Sequence, residues 1–133
     1  MKERQICGEV LKRIRDEMKV SCAVEVKVAH RGHAIAFGAL EEHQERALLL
    51  AADRGMYWKI SDDTFGQKPF DGFIFCAAPA YVAILWPRTT LNPNLETLTV
   101  LRIQDWISER EAALGRGEKS LFRERAIALS QLK

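Results

Sequence analysis

The sequence predicts an α/β domain in which a mixed β-sheet is flanked by helices. Two observations point there. At 133 residues the chain is long enough for one core and short for two. Segments with helical and strand periodicity follow one another as helix, strand, helix, several strands and two helices, the pattern of a sheet covered by helices. No internal repeat, low-complexity tract or Ser/Gly linker divides the chain, so 1–133 is expected to be a single domain. Within it, 1–19 form an N-terminal helix, 20–103 the sheet with one helix, and 104–133 C-terminal helices.

Residues 2–18 carry Ile6, Val10, Leu11, Ile14 and Met18 on one stripe, with Lys12, Arg13, Arg15 and Asp16 mostly outside it, which predicts an amphipathic helix. Residues 20–29 alternate and are rich in Val, as in a strand with one face in the core. "HRGH" is a turn. "ALEEHQERALLLAAD" predicts a second helix over 39–54, stopped by Gly55. "MYWKI" is a strand and "SDDTFGQKP" an exposed loop. "FDGFIFC" and "AYVAILW" are two more strands, the second apolar enough to lie in the middle of a sheet. After the loop "PRTTLNPNLE", "TLTVLRI" gives the last strand. Asp105 is placed to cap a helix through Leu114, and Ser120 to cap a final helix after the polar "GRGEKS".

Composition narrows the class. The apolar fraction of 47% with 29% charged residues is that of an ordinary soluble globular protein. No apolar run reaches the roughly 20 residues of a membrane span, since "GFIFCAAPAYVAILW" is broken by Pro79. "MKERQ" opens a charged helix without a signal-peptide pattern. Cys7, Cys22 and Cys76 are scattered on apolar stretches, which predicts buried free thiols in a reducing cytoplasm rather than disulfides or zinc ligands. A formal net charge of +2 supplies no broad positive field, so any DNA surface must come from local clusters of Arg and Lys.

Chemistry concentrates on "AVEVKV". Side chains at i and i+2 of a strand share a face, so Glu25 and Lys27 emerge together while Val24, Val26 and Val28 anchor the other side. A metal-dependent phosphodiesterase needs such a pair: the carboxylate for Mg²⁺, the ammonium for charge on the phosphate oxygens. An E-x-K on a half-exposed strand is also ordinary surface patterning, so a second carboxylate is required. Asp71, at a strand entry after Pro69, is the candidate; Asp62 and Asp63 sit on a loop that holds them less rigidly. Gln44, near the start of the second helix, is placed to reach a cleft that the helix caps, where unpaired N–H groups favour phosphate.

Together, "AVEVKVA" and "AIAFGALEEHQERALLLAADRGMYWKISD" resemble a segment of RecU-like and archaeal Holliday junction resolvases of the PD-(D/E)xK nuclease superfamily. The E-x-K matches at Glu25 and Lys27, an F-x-x-L at Phe37 to Leu40, and a His-Gln pair at His43 and Gln44. "GRGEKSL" is similar to a stretch near the end of some members. The likeness covers about two thirds of the chain through short motifs whose weight lies in their combination. It implies a restriction-endonuclease-like fold, Mg²⁺ or Mn²⁺ as cofactor, branched DNA as substrate and a homodimer.

The motif order departs from the family, where a P-D strand precedes the E-x-K strand; here "KPFD" comes after the Gln-bearing helix. A permuted core is therefore expected, with Asp71 delivered from a strand beside 22–28. Glu25, Lys27, Asp71 and Gln44 are then the catalytic set. Asp71, Glu25 and Glu9 of the first helix are the metal ligands, with Glu3 an alternative to Glu9. Lys59, Lys68, His43, Arg31, Arg116 and Lys119 are candidates for DNA contact, as are Lys12, Arg13, Arg15, Arg123 and Arg125. His30 and His33 are expected at the surface or against the DNA backbone rather than on zinc, and Trp58, Trp86 and Trp106 in core or interface packing. A nuclease-like fold that only binds DNA or a protein, or serves as an oligomeric scaffold, is the competing expectation.

Overall fold

The computed structural model describes residues 3–62, 66–88 and 96–133, without the side chain of Glu3. Its layering is set by strand β5 (Ala80–Trp86), which pairs in parallel with β1 (Ala23–Val28) and antiparallel with β6 (Thr97–Arg102). Val82, Ile84 and Trp86 enter one apolar cluster, while Tyr81 and Ala83 enter another on the opposite face. This is the central strand expected of "AYVAILW", buried on both faces.

Helix α1 (Glu3–Met18) covers one face, setting Val10 and Ile14 against Val24, Val26, Tyr81 and Val100. Helices α2 (Glu42–Asp53), α3 (Ile103–Gly115) and α4 (Arg123–Leu129) give Leu48, Trp106, Ala113 and Ala126 to the other. The result is a mixed sheet between helices, an α/β fold. Trp86 and Trp106 are fully buried. The Trp86 indole donates to Thr99 Oγ1 at 2.9 Å, and Trp106 meets Phe37 edge-on with ring centroids 5.2 Å apart.

Two short elements depart from the sequence expectation. β2 (Ala34–Ala36) and β7 (Ser120–Phe122) pair antiparallel, with the buried Ile35 opposite the buried Leu121. Ser120 therefore lies in a strand, and Phe122 occupies the N-cap of α4. Asp105 stands in the first turn of α3, whose N-cap is Arg102. The second helix begins later than residue 39, after a single 3-10 turn at Phe37–Ala39. Parts of the loops "SDDTFGQKP" and "PRTTLNPNLE" lie outside the described residues.

The largest correction concerns "FDGFIFC". Its strand, β4 (Gly72–Phe75), pairs with β3 (Met56–Lys59) in a separate two-stranded sheet, while β1 takes its hydrogen bonds from β5. The strand carrying Asp71 is thus not the neighbour of 22–28. At the far side of the sheet, Gln131 N–H donates to the Val100 carbonyl at 2.8 Å, and Val100 N–H donates to Ser130 Oγ at 3.0 Å. The C-terminal segment in this way covers part of the outer edge of β6. All three cysteines are free, but Cys76 is exposed and Cys7 and Cys22 are half-buried, not buried as expected. No described helix is long and apolar enough to cross a membrane.

Candidate functional site

Alternation along β1 turns Val24 and Val26 toward α1 and leaves Glu25 and Lys27 on the face covered by α2, opposite Val82 and Ile84 of β5. Lys27 Nζ lies 3.4 Å from Glu25 Oε1, and the two side chains are 19% and 32% exposed. An ammonium and a carboxylate so arranged are neither lost in the core nor fully screened by water.

The start of α2 supplies the third member. Glu41 is the N-cap, so Gln44 is at N3, and its Oε1 accepts the Glu41 N–H at 3.0 Å. A backbone N–H can only donate, so the amide oxygen must face it and the amide nitrogen must face the other way. That nitrogen, Nε2, donates to Glu25 Oε1 at 3.0 Å. Helix capping thereby fixes which end of Gln44 meets the carboxylate. Arg110 of α3 donates to Glu45 at 2.9 Å, tying α2 to α3 one residue from Gln44. This hydrogen bond holds the Arg110 guanidinium still further above its ordinary pKa. Among the described residues, no donor engages Glu25 Oε2.

The other candidate ligands are elsewhere. Asp71 enters β4 with its side chain 93% exposed and 3.1 Å from Lys68, which also pairs with Asp62. Its carbonyl accepts the Ile60 N–H at 2.7 Å, closing the hairpin rather than approaching β1. Glu9 lies on α1, on the opposite side of the sheet from Glu25, in a surface groove with Arg13, His30 and Glu96. The alternation that exposes Glu25 toward α2 also turns it away from α1. Asp71, Glu25 and Glu9 are therefore not brought together. Among the described residues, no group of three or more His, Cys, Asp or Glu is gathered to hold a metal ion. Asp63 lies outside them, as does the Glu3 side chain.

The candidate DNA contacts are dispersed and mostly paired. His43 Nδ1 is 3.3 Å from Glu41, and Arg116 is 3.4 Å from Glu118. Lys59 is 3.7 Å from Asp62, while Arg31 is exposed in the turn after β1. Lys119 is exposed beside a groove that includes Glu42, Glu45 and Arg110. The basic run at 116–125 does not form one face: Arg123 is buried with a 2.6 Å bond to Thr97, and Arg125 is held by Glu109 at 2.8 Å. On α1, Arg13 pairs with Glu17 and Arg15 with Asp16. His30 and His33 are at the surface, the latter 3.3 Å from the Arg31 carbonyl.

Glu41 and Arg110 were not among the expected site residues. The E-x-x-Q spacing from Glu41 to Gln44 is a capping signal legible in the sequence. The Glu45–Arg110 bridge joins helices far apart in the chain and leaves no local signal. No family model matches the chain, and no curated protein or solved structure is significantly similar to it.

Proposed function

We propose that this protein is a metal-dependent DNA endonuclease that hydrolyses phosphodiester bonds in branched DNA, in the manner of a Holliday junction resolvase. The observation that carries the reading is the convergence of Gln44 Nε2 and Lys27 Nζ on one oxygen of Glu25. Mg²⁺ or Mn²⁺ takes one or two protein carboxylates and keeps its other positions for water and substrate phosphate. Glu25 Oε2 fits the first of these. Asp71, on the separate β3–β4 hairpin and paired with Lys68, does not reach this ion, so Glu25 is the one protein carboxylate the reading draws on. A divalent ion, when bound, polarises the phosphate and acidifies water.

Gln44 holds Glu25 in one rotamer. Lys27 balances the carboxylate in the free protein and stabilises charge on the phosphate oxygens during attack. Exposed Arg31 and Lys119 meet the DNA backbone without reading sequence. Cutting two strands of a junction calls for two such sites, hence a homodimer, and a DNA substrate of this kind implies the cytoplasm. The assignment of Asp71's strand to a separate sheet favours a second reading, a catalytically silent nuclease-like fold that binds DNA or a protein.

Incubation with four-way junction, flap and linear DNA in Mg²⁺ tests both. The wild type is expected to nick the junction and Glu25→Ala to lose about 100-fold or more, while Asp71→Ala, altered on a separate hairpin, should cut as the wild type does. Equal cleavage by all three proteins would move the chemistry elsewhere. Junction binding indifferent to Mg²⁺, with no product, would favour the silent module.

A further inference from the structure

The β3–β4 hairpin stands out from the rest of the surface. Trp58 lies opposite Phe73, and Tyr57 opposite Ile74, so alternation puts one pair on each face. Trp58 is 64% exposed, Phe73 51%, Tyr57 78% and Ile74 83%, with Phe70 beside them at 53%. A two-stranded sheet is marginally stable by itself and gains stability when a further layer covers it. Exposed apolar side chains gathered on both faces of one hairpin mark a contact site.

We infer that this hairpin is the interface through which two copies of the chain associate, each lodging its hairpin against the other around a two-fold axis. Area and charge both argue for a second copy. Large apolar side chains present about 200 Å² each, so five that are half to four-fifths exposed offer roughly 650 Å² per partner, close to the ~800 Å² of a standard interface. The rim carries Lys59, Lys68, Asp62 and Asp71, two of each sign. Equal numbers of acids and bases match their own copy under two-fold rotation. The same balance disfavours nucleic acid, because Asp62 and Asp71 already neutralise Lys68. Apolar side chains on both faces favour reciprocal clasping over a flat contact, which would leave half of them in water. The surface does not rest on the nuclease reading: Glu25, Lys27 and Gln44 take no part in it.

Sedimentation velocity on the full chain, from micromolar to submillimolar concentration, tests the inference. The wild type is expected to sediment as a dimer. Ile74→Asp should weaken association by at least ~100-fold, since a two-fold axis counts each substitution twice. Leu114→Asp, at a 61% exposed position on α3, should leave association unchanged. A readout without substitution comes from Trp58, because Trp86 and Trp106 are fully buried. Acrylamide quenching of the wild type should rise on dilution as the dimer parts. A monomer at every concentration would overturn the proposal. So would a dimer indifferent to Ile74→Asp, or quenching that does not change as a dimer dissociates. Nicking of one strand by a monomeric Ile74→Asp protein would leave the nuclease chemistry standing, and an inactive wild-type dimer would leave the interface standing.

Discussion

Gln44 performs two tasks with one amide, and two substitutions separate them. Gln44→Ala removes both the acceptor for Glu41 N–H and the donor to Glu25. One hydrogen bond to a partly exposed carboxylate and one cap contact predict a loss of about 1–2 kcal/mol, or roughly 3–6 °C in Tm. Gln44→Glu keeps an oxygen for the cap but sets a second carboxylate against Glu25. At neutral pH it should be less stable than Gln44→Ala despite its better helix start. Urea unfolding of both variants at pH 7 checks this order; a Gln44→Glu protein as stable as wild type would mean the Glu25 contact is not made in solution. The Glu25–Lys27–Gln44 group was legible beforehand because it rests on local rules, the two-residue period of a strand and the position of a helix start. Asp71 and Glu9 were not, because a ligand's partner depends on which strands pair and which face a helix covers. Val-rich alternation at 23–28 says that one face is buried; it does not say that α1 rather than α2 buries the valines.

Among the elements, the edge of β6 shows how one hydroxyl supports a strand. Ser130 is buried, its Oγ accepts the Val100 N–H at 3.0 Å, and it donates to the Leu132 carbonyl at 2.8 Å. Val100 is fully buried, so its N–H has no water to turn to. Ser130→Ala strands that donor and should cost about 1–3 kcal/mol, read as a lower urea midpoint with an unchanged m-value. A cost near zero would mean that the C-terminal segment does not sit on β6 in solution. The long elements were readable: α1 from its apolar stripe, and β5 from seven nearly uninterrupted apolar residues. The pair β2 and β7 was not, since three residues each carry too little periodicity and their pairing spans most of the chain. Ser120 was expected as a cap and lies in a strand, while Ser130 carried no expectation and supports β6. A hydroxyl's role is decided by the backbone it meets, and that backbone is distant in sequence.

For the whole molecule, the sheet and the hairpin should behave as units of unequal stability. β5 is covered on both faces and paired on both edges, so the amides of Val82 to Ile84 should exchange only through global unfolding. β3 and β4 pair with each other alone and join the body at their base, where Ala78 N–H donates to the Ala51 carbonyl at 3.2 Å. Gly55 makes that base possible. Its φ is +82°, and a Cβ there would stand 2.3 Å from the Phe75 carbonyl oxygen, a backbone atom that cannot swing aside. Gly55→Ala should therefore cost more than the ~1 kcal/mol of an ordinary left-handed position, with the damage directed at the hairpin. Hydrogen exchange on dilute protein should show β3 and β4 amides at least ~100-fold faster than those of β5, and faster again in Gly55→Ala, with β5 changed far less. At high concentration the wild-type hairpin should gain protection as two copies cover it. If Gly55→Ala accelerates β5 and the hairpin alike, the two form one cooperative unit. The exposed aromatic side chains would then be held by the body itself, and the reason for assigning them a second copy would be gone.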